Sequence, residues 1–383
     1  MTTLSVSSLS VSYGPRPALR DVSVVVPSGS VVAVLGPSGC GKTTLLMALA
    51  GLVPVEGGTI TSGSRTLSSA DTHLAPERRS IGWVPQDSSL FPHLSVRDNI
   101  GFALPRGARN GTRVEELARL VGLSDFLDRM PGSLSGGQAQ RVALARALAV
   151  KPEVVLLDEP FAALDTVLRH SLAREVVGLL RESDTTTVLV THDREEALDL
   201  ADIVVVMDRG RVAQVGTPKE IYEAPQTPWV ASFVGDTVEL DGMWQDTALE
   251  CRACGAREFC EGEPERYGCS GHVECALGNL AASAQGFEPT QGQAVRVVLR
   301  PEWIVPSPEG VPSTVKAVSY GGHDALVELR LDSSHDSVRA RMAAPFLPSV
   351  GSPFGVAVRH PVLVFPSVDS DRWSDTQEQA VVA

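Results

Sequence analysis

Residues 30–43, SVVAVLGPSGCGKT, run from an apolar stretch straight into a fit to G-x-x-x-x-G-K-[ST]. No other feature limits the fold as strongly. A buried strand has to end at Gly36 and a helix has to begin near Lys42, with a glycine-rich turn between them. Gly36, Gly39 and Gly41 let the backbone wrap around phosphates, so that N–H groups converge at the N-terminus of the helix, where its dipole favours anions. Lys42 reaches toward the β- and γ-phosphates, and the Thr43 hydroxyl can ligate Mg²⁺. Pro37, Ser38, Cys40 and Thr44 complete the candidate ATP-binding stretch.

Hydrolysis needs a metal, a positioned water and a sensor of the γ-phosphate. EVVLLDEP (153–160) is a second strand, apolar on both faces, as suits the centre of a mostly parallel sheet. Asp158 at its end is assigned to Mg²⁺, through water, and Glu159 beside it to the general base. TTTVLVTHD (185–193) is a third strand, and His192 after it can hydrogen-bond the γ-phosphate and the attacking water. Asp193 and Glu196 read as a capping box opening the next helix. DIVVVMDRGRVAQVG reads as a hairpin turning at Asp208–Gly210.

Length and composition set the wider frame. A chain of 383 residues with 43% hydrophobic content suits two domains with packed cores. The α/β alternation occupies 1–235, with a helical region at about 87–151 carrying VEELARLVGL and QAQRVALARALAV. From 236 to 366 short alternating strands such as VRVVLR, STVKAVSY, ALVELRL and FGVAVR predict a small β-barrel or sandwich, followed by a polar tail at 367–383. The net charge of −13 argues against a nucleic-acid partner. No apolar run approaches the roughly 18–20 residues of a membrane span, and MTTLSVSSLS lacks the pattern of a signal peptide. The expectation is a cytosolic protein that meets membranes only through a partner.

The ordered set of motifs resembles the ATP-binding subunits of ATP-binding cassette (ABC) transporters. Tyr13, in VSYG, stands where that family stacks an aromatic ring on adenine. GPSGCGKTT is its phosphate loop, and Gln86, in GWVPQDSSLFPHLSVRDN, matches the glutamine loop that senses Mg²⁺. LSGGQAQR (134–141) is the signature, VVLLDEP the second nucleotide motif, AALD the loop after it and THD the switch histidine. The resemblance implies a homodimer in which Ser135, Gly136, Gly137 and Gln138 close on the ATP of the other subunit, with Asp165 in the loop between sites. Ala162 replaces a frequent serine of the family. It also implies Mg²⁺ held through Thr43, Gln86 and Asp158.

Within the family, SSLFPHLSVRDNIGFAL resembles importers of the ferric iron, polyamine, sulfate and sugar group, where it lines a groove receiving a permease helix. GTPKEIYEAPQTPWVASFVG (216–235) resembles that group's link to a C-terminal OB-fold-like domain of the TOBE type, and LRPEWI and SYGGHDALVELRL resemble segments of it. The implied system has two integral-membrane permease subunits, a periplasmic or lipid-anchored solute-binding protein and a place at the cytoplasmic face of the membrane. Ferric iron is the first expectation for the solute, with polyamine, sulfate or sugar as alternatives. A soluble non-transport ABC ATPase or a regulatory switch is the alternative from another class.

Five of six cysteines fall in one stretch, as Cys251, Cys254, Cys260, Cys269 and Cys275, with His272 among them, while Cys40 lies in the phosphate loop. A C-x-x-C start suits cytosolic zinc, but no second C-x-x-C follows. A zinc or iron–sulfur site, a redox-responsive patch and a loop without function all stay open.

Overall fold

The computed structural model describes residues 3–87, 89–105, 111–162, 164, 166–245, 270–344 and 347–367. Contacts divide the chain at Glu223 and Ala224 into two compact units.

The first unit is built on a six-stranded sheet in the order β10-β9-β3-β8-β7-β6. Its strands are β3 (Val31–Leu35), β6 (Ile81–Val84), β7 (Val154–Asp158), β8 (Thr186–Thr191), β9 (Ile203–Asp208) and β10 (Arg211–Gly216). All neighbours are parallel except the β9–β10 hairpin. Its turn places Arg209 and Gly210 at φ +46° and +81°, the paired left-handed geometry that matches strand twist. Both faces of the sheet are covered. Val155 and Leu157 pack into one core and Val154 and Leu156 into another, which is why β7 reads as continuously apolar.

One cover holds α2 (Val96–Ile100), α3 (Thr112–Leu120), α4 (Gly136–Ala149) and α5 (Thr166–Glu182), with Val142, Leu144, Val176 and Leu180 in their core. The other holds α1 (Lys42–Ala50) and an antiparallel sheet, β2-β1-β4-β5, made of β1 (Leu4–Tyr13), β2 (Arg16–Val26), β4 (Gly57–Ser62) and β5 (Arg65–Ser68). Arg79, 2% exposed, ties α1 to this sheet. Its guanidinium donates to the carbonyls of Ala48, Leu49, Leu67 and Leu74 and to the Ser68 hydroxyl. The terminal carbonyls of α1 thereby gain a charged partner where the helix dipole is negative. Helices α6 (Arg194–Leu200) and α7 (Pro218–Glu223) complete the unit.

The second unit starts with α8 (Pro228–Val234). The expected boundary at 235 leaves this helix with the first domain. Its Ala231 instead packs in the core of the second, and the buried Arg300 donates to the carbonyls of Ala231 and Asp236. Five strands close a barrel in the order β11-β12-β13-β19-β14: β11 (Val238–Gln245), β12 (Gly271–Cys275), β13 (Gly278–Ala284), β14 (Ala294–Leu299) and β19 (Val362–Pro366). Four more form the sheet β17-β16-β15-β18: β15 (Ile304–Tyr320), β16 (Asp324–Leu331), β17 (Ser337–Ala343) and β18 (Pro353–Val358). Among the described residues no helix is long and apolar enough to cross a membrane.

Candidate functional site

The phosphate loop joins the C-terminal end of the fully buried, interior strand β3 to α1. Gly39 and Gly41 sit at φ +79° and +109°, where a side chain is strained. Gly36 is small for a different reason. A Cβ there would lie 2.5 Å from the Met207 carbonyl oxygen and 2.6 Å from Cys40 Sγ. Helix α1 has no side-chain cap and no acidic residue in its first turn, so its N-terminal donors are left for an anion. Lys42, 6% exposed, turns its ammonium onto the carbonyls of Gly36 (2.7 Å) and Pro37 (3.0 Å). Cys40, buried, walls the loop against Gly36, and burial pushes its thiol up while the Lys42 charge opposes. Tyr13, half exposed at the end of β1, places its hydroxyl 3.9 Å from Met47 Sδ on α1. Ser38 is exposed, and Thr43 and Thr44 are half-buried.

Four predicted residues meet beside this loop. Asp158 ends β7 almost fully buried, and the Thr43 hydroxyl donates to it at 3.5 Å. Burial pushes its carboxyl up, the Thr43 bond opposes this, and the charge of Glu159 reinforces it. Glu159 has φ +47°. That left-handed backbone costs a non-glycine residue roughly 1–2 kcal/mol and has to be held in place. Its N–H donates to the Val190 carbonyl at 2.9 Å. Its carbonyl accepts from Gln140 Nε2 at 2.8 Å and from the Ala162 N–H at 3.2 Å. Its carboxylate Oε2 lies 3.1 Å from His192 Nδ1 and 3.4 Å from Gln86 Nε2. A carboxylate flanked by an imidazole and an amide, next to an anion cradle, can orient a water and take its proton.

Ser135, Gly136 and Gly137 stand apart from this cluster at the start of α4. Ser135 is the N-cap and Gln138 closes a capping box, the serine hydroxyl accepting from Gln138 N–H (3.3 Å) and Gln138 Oε1 from Ser135 N–H (2.9 Å). Gly136 is exposed, with open space where a Cβ would stand. Asp165 lies outside the described residues.

The expected capping box at Asp193 and Glu196 takes another form. Asp193 does cap α6, accepting from the N–H groups of Glu195 and Glu196. Glu196, however, accepts from the Thr191 hydroxyl at 2.7 Å, and Thr191 Oγ1 takes the Asp193 N–H at 2.9 Å. A buried threonine relays what the glutamate does directly in the simpler motif. Arg169 on α5 joins the two loops, pairing with Asp193 at 3.5 Å and donating to the carbonyls of Ala162 and Leu164.

Gln140, Arg169 and Thr191 were not singled out by the sequence. For Gln140 a signal existed: it occupies the apolar stripe of α4 with Ala143, Leu144 and Ala147, where a glutamine needs a buried partner.

Phe91 contacts Phe102 at 4.2 Å between ring centroids and has Arg146 over its ring. Buried Asn99 fixes its backbone, accepting from the Phe91 N–H and donating to the Phe91 carbonyl. Phe102 stays 42% exposed, so this face keeps apolar surface. Cys251, Cys254, Cys260 and Cys269 lie outside the described residues. His272 and Cys275, three apart on β12, point to opposite faces of the strand. No cluster of metal-ligating side chains occurs among the described residues.

Residues 19–162 match the family described as ABC transporter, and 297–365 match the TOBE domain. The Fe(3+) ions import ATP-binding protein FbpC 1 of Rhodococcus jostii is 44% identical over 342 residues, covering 88% of this chain and 90% of that one. The sulfate/thiosulfate import ATP-binding protein CysA of Nocardia farcinica is 47% identical over 243 residues, 62% of this chain and 72% of its own. Among solved structures, the dimeric bacterial ABC transporter cassette MJ0796 superposes with a TM-score of 0.51 at 29% identity, covering 56% of this chain and 98% of that one.

Proposed function

The chain belongs to the ATP-binding subunits of the ABC transporter family, ATP-hydrolysing enzymes, and from that premise we propose that it energises import of ferric iron through separate permease subunits. One observation carries the hydrolytic part: the Glu159 carboxylate has His192 and Gln86 within 3.4 Å, beside the loop that ends in Lys42. In this reading Lys42 leaves the carbonyls of its own loop for the β- and γ-phosphates, and Tyr13 stacks on the adenine. Glu159 accepts a proton from the attacking water, while His192 and Gln86 hold that water and the γ-phosphate in line. Thr43 and Asp158, with Gln86 nearby, suit Mg²⁺, which commonly takes one or two carboxylates together with phosphate oxygens. Bound there, Mg²⁺ would neutralise charge developing on the phosphates.

The exposed start of α4 supports a head-to-tail homodimer. Ser135, Gly136 and Gly137 offer a hydroxyl and helix N-terminal donors, a second surface for a γ-phosphate held by another subunit. The half-exposed Phe91–Phe102 pair suits an apolar helix from a permease subunit. A solute-binding protein outside the membrane completes the system, with this chain on the cytoplasmic side.

Ferric iron is favoured over sulfate by extent of likeness. The Rhodococcus iron relative aligns across 88% of the chain, whereas the Nocardia sulfate relative aligns across 62%. The test is uptake of radiolabelled ferric iron by cells lacking this gene, complemented with the native chain or with Glu159→Gln. Iron uptake restored only by the native chain is expected. Restored sulfate or polyamine uptake with unchanged iron uptake would replace the solute, and no transport defect at all would sink the importer reading. Purified Glu159→Gln should bind ATP, hydrolyse it poorly and elute as a dimer with ATP; elution only as monomer would count against the sandwich.

A further inference from the structure

We infer that Gln140 is a positioning residue that transmits the state of the helix start at Ser135–Gly137 to the Glu159 carboxylate of the same chain. The inference rests on the head-to-tail reading above and adds a route by which each site senses the other.

Gln140 sits just over one turn into α4 and is 3% exposed. Its side-chain amide donates to the Glu159 carbonyl at 2.8 Å. A carbonyl only accepts, so the orientation of that amide is set by chemistry. Glu159 holds a left-handed backbone, φ +47°, that survives only where its surroundings over-determine it. Three hydrogen bonds do so, and they come from different places. Val190 on β8 takes its N–H, Ala162 in its own turn donates to its carbonyl, and Gln140 donates to the same carbonyl.

The first two partners belong to the loop and the sheet around the site. Only the third belongs to a helix, and Gln140 lies just over one turn from that helix's exposed start. The start of α4 is exposed, with nothing within 4 Å of a Cβ built on Gly136. Beyond its exposed start, α4 packs into the core through Val142, Leu144 and Leu148. A phosphate drawn against its N-terminus therefore moves the helix as a unit, in small rotation or translation. Gln140 passes that movement to the peptide of Glu159, whose carboxylate has His192 at 3.1 Å and Gln86 at 3.4 Å. Small shifts of a base change rates strongly, since general-base catalysis depends on hydrogen-bond reach. Closure on the neighbour's ATP is thus read by the chain's own base.

The test compares the full-length chain with Gln140→Met, which keeps length and volume but has no donor, and with Gln140→Glu, which keeps shape but puts an acceptor against the carbonyl. ATPase rates are taken per nucleotide-binding site, titrated with a fluorescent ATP analogue, across a range of ATP concentrations. Both variants should lose about tenfold or more in kcat, keep KM within about threefold, and show a Hill coefficient falling toward 1. A purely structural role would reduce the number of binding sites without lowering kcat per site or the Hill coefficient. If one variant fails to fold, as judged by site titration, the other carries the measurement. A wild type with cooperative hydrolysis and variants that match it would overturn the role of Gln140 alone. A wild type that hydrolyses ATP only as a non-cooperative monomer would overturn the head-to-tail reading and this inference with it.

Discussion

Two helices in the first unit begin at glycines, and they begin in opposite ways. At α1, Gly41 stands at φ +109° with no capping side chain, and the loop before it is walled by Met207, Cys40 and Ala18. At α4, Ser135 and Gln138 cap each other's backbone, and Gly136 has open space around it. The first is a cradle finished inside one chain: no side chain caps its helix and neighbouring backbone fixes its shape. The second is already satisfied as a helix start, so it folds and waits without a ligand. In the proposed head-to-tail dimer its glycines face something that arrives from outside, so that one anion site is built by folding and the other by association.

The sharpest way to break this contrast is to place the same methyl group in both loops. Gly36→Ala pushes a Cβ into the Met207 carbonyl oxygen, which would lie 2.5 Å away, so binding of a fluorescent ATP analogue should weaken by about a hundredfold or more. Gly136→Ala meets nothing, and should leave folding and nucleotide binding by the monomer intact while ATP hydrolysis is largely lost. Equal loss of binding in both would dissolve the distinction. Next in size is Lys42→Ala, which removes the only charge on the loop and should weaken ATP binding by about tenfold to a hundredfold in equilibrium titration. An unchanged ATPase rate would remove the phosphate-loop assignment.

Ser135→Ala deletes the cap of α4 and, in the proposed dimer, the hydroxyl offered to the other subunit's phosphate. It should cost about 1 kcal/mol, a melting point lower by roughly 2–4 °C, with nucleotide binding by the monomer untouched. The smallest effect concerns Glu196, 5% exposed beside the switch loop, whose carboxyl is pushed up chiefly by burial, with the Thr191 bond opposing. A carboxyl raised on folding binds its proton more tightly in the native state, so native stability falls as pH rises through the interval between the unfolded and folded values. Glu196→Gln keeps an acceptor for Thr191 and removes that loss. A melting point higher by about one or two degrees is expected at neutral pH, shrinking as pH drops below the ordinary glutamate range near about 4.3. A gain that does not depend on pH would point to packing instead.

Much of this was visible in the residue order, because local chemistry was dense there. GPSGCGKT after VVAVL dictates strand, turn and helix, and VVLLD and TVLVT take neighbouring places in the parallel sheet. The antiparallel sheet was harder. The alternation of Leu4 and Val6 shifts phase before Leu9 and Val11, where Ser8 turns to φ +48° and the register with β2 slips. Arg79 and Arg300 were illegible for another reason. Long polar residues read as surface in any pattern, and their burial follows from carbonyls that only the folded chain brings together. Glu159 was legible as a candidate base from its strand end, but not its left-handed backbone, which depends on residues 140 and 190.

Strand β3 lies between β8 and β9, and Met207 and Gly210 stand against the phosphate loop at residues 36–41. The loop at residues 36–41 therefore has no finished shape until the chain through residue 210 has left the ribosome. Pairings this distant in sequence are slow and form late. Affinity for ATP in a nascent or truncated chain thus becomes a checkpoint for the whole first unit: a chain ending before residue 210 should carry every residue of the loop and still fail to hold the nucleotide.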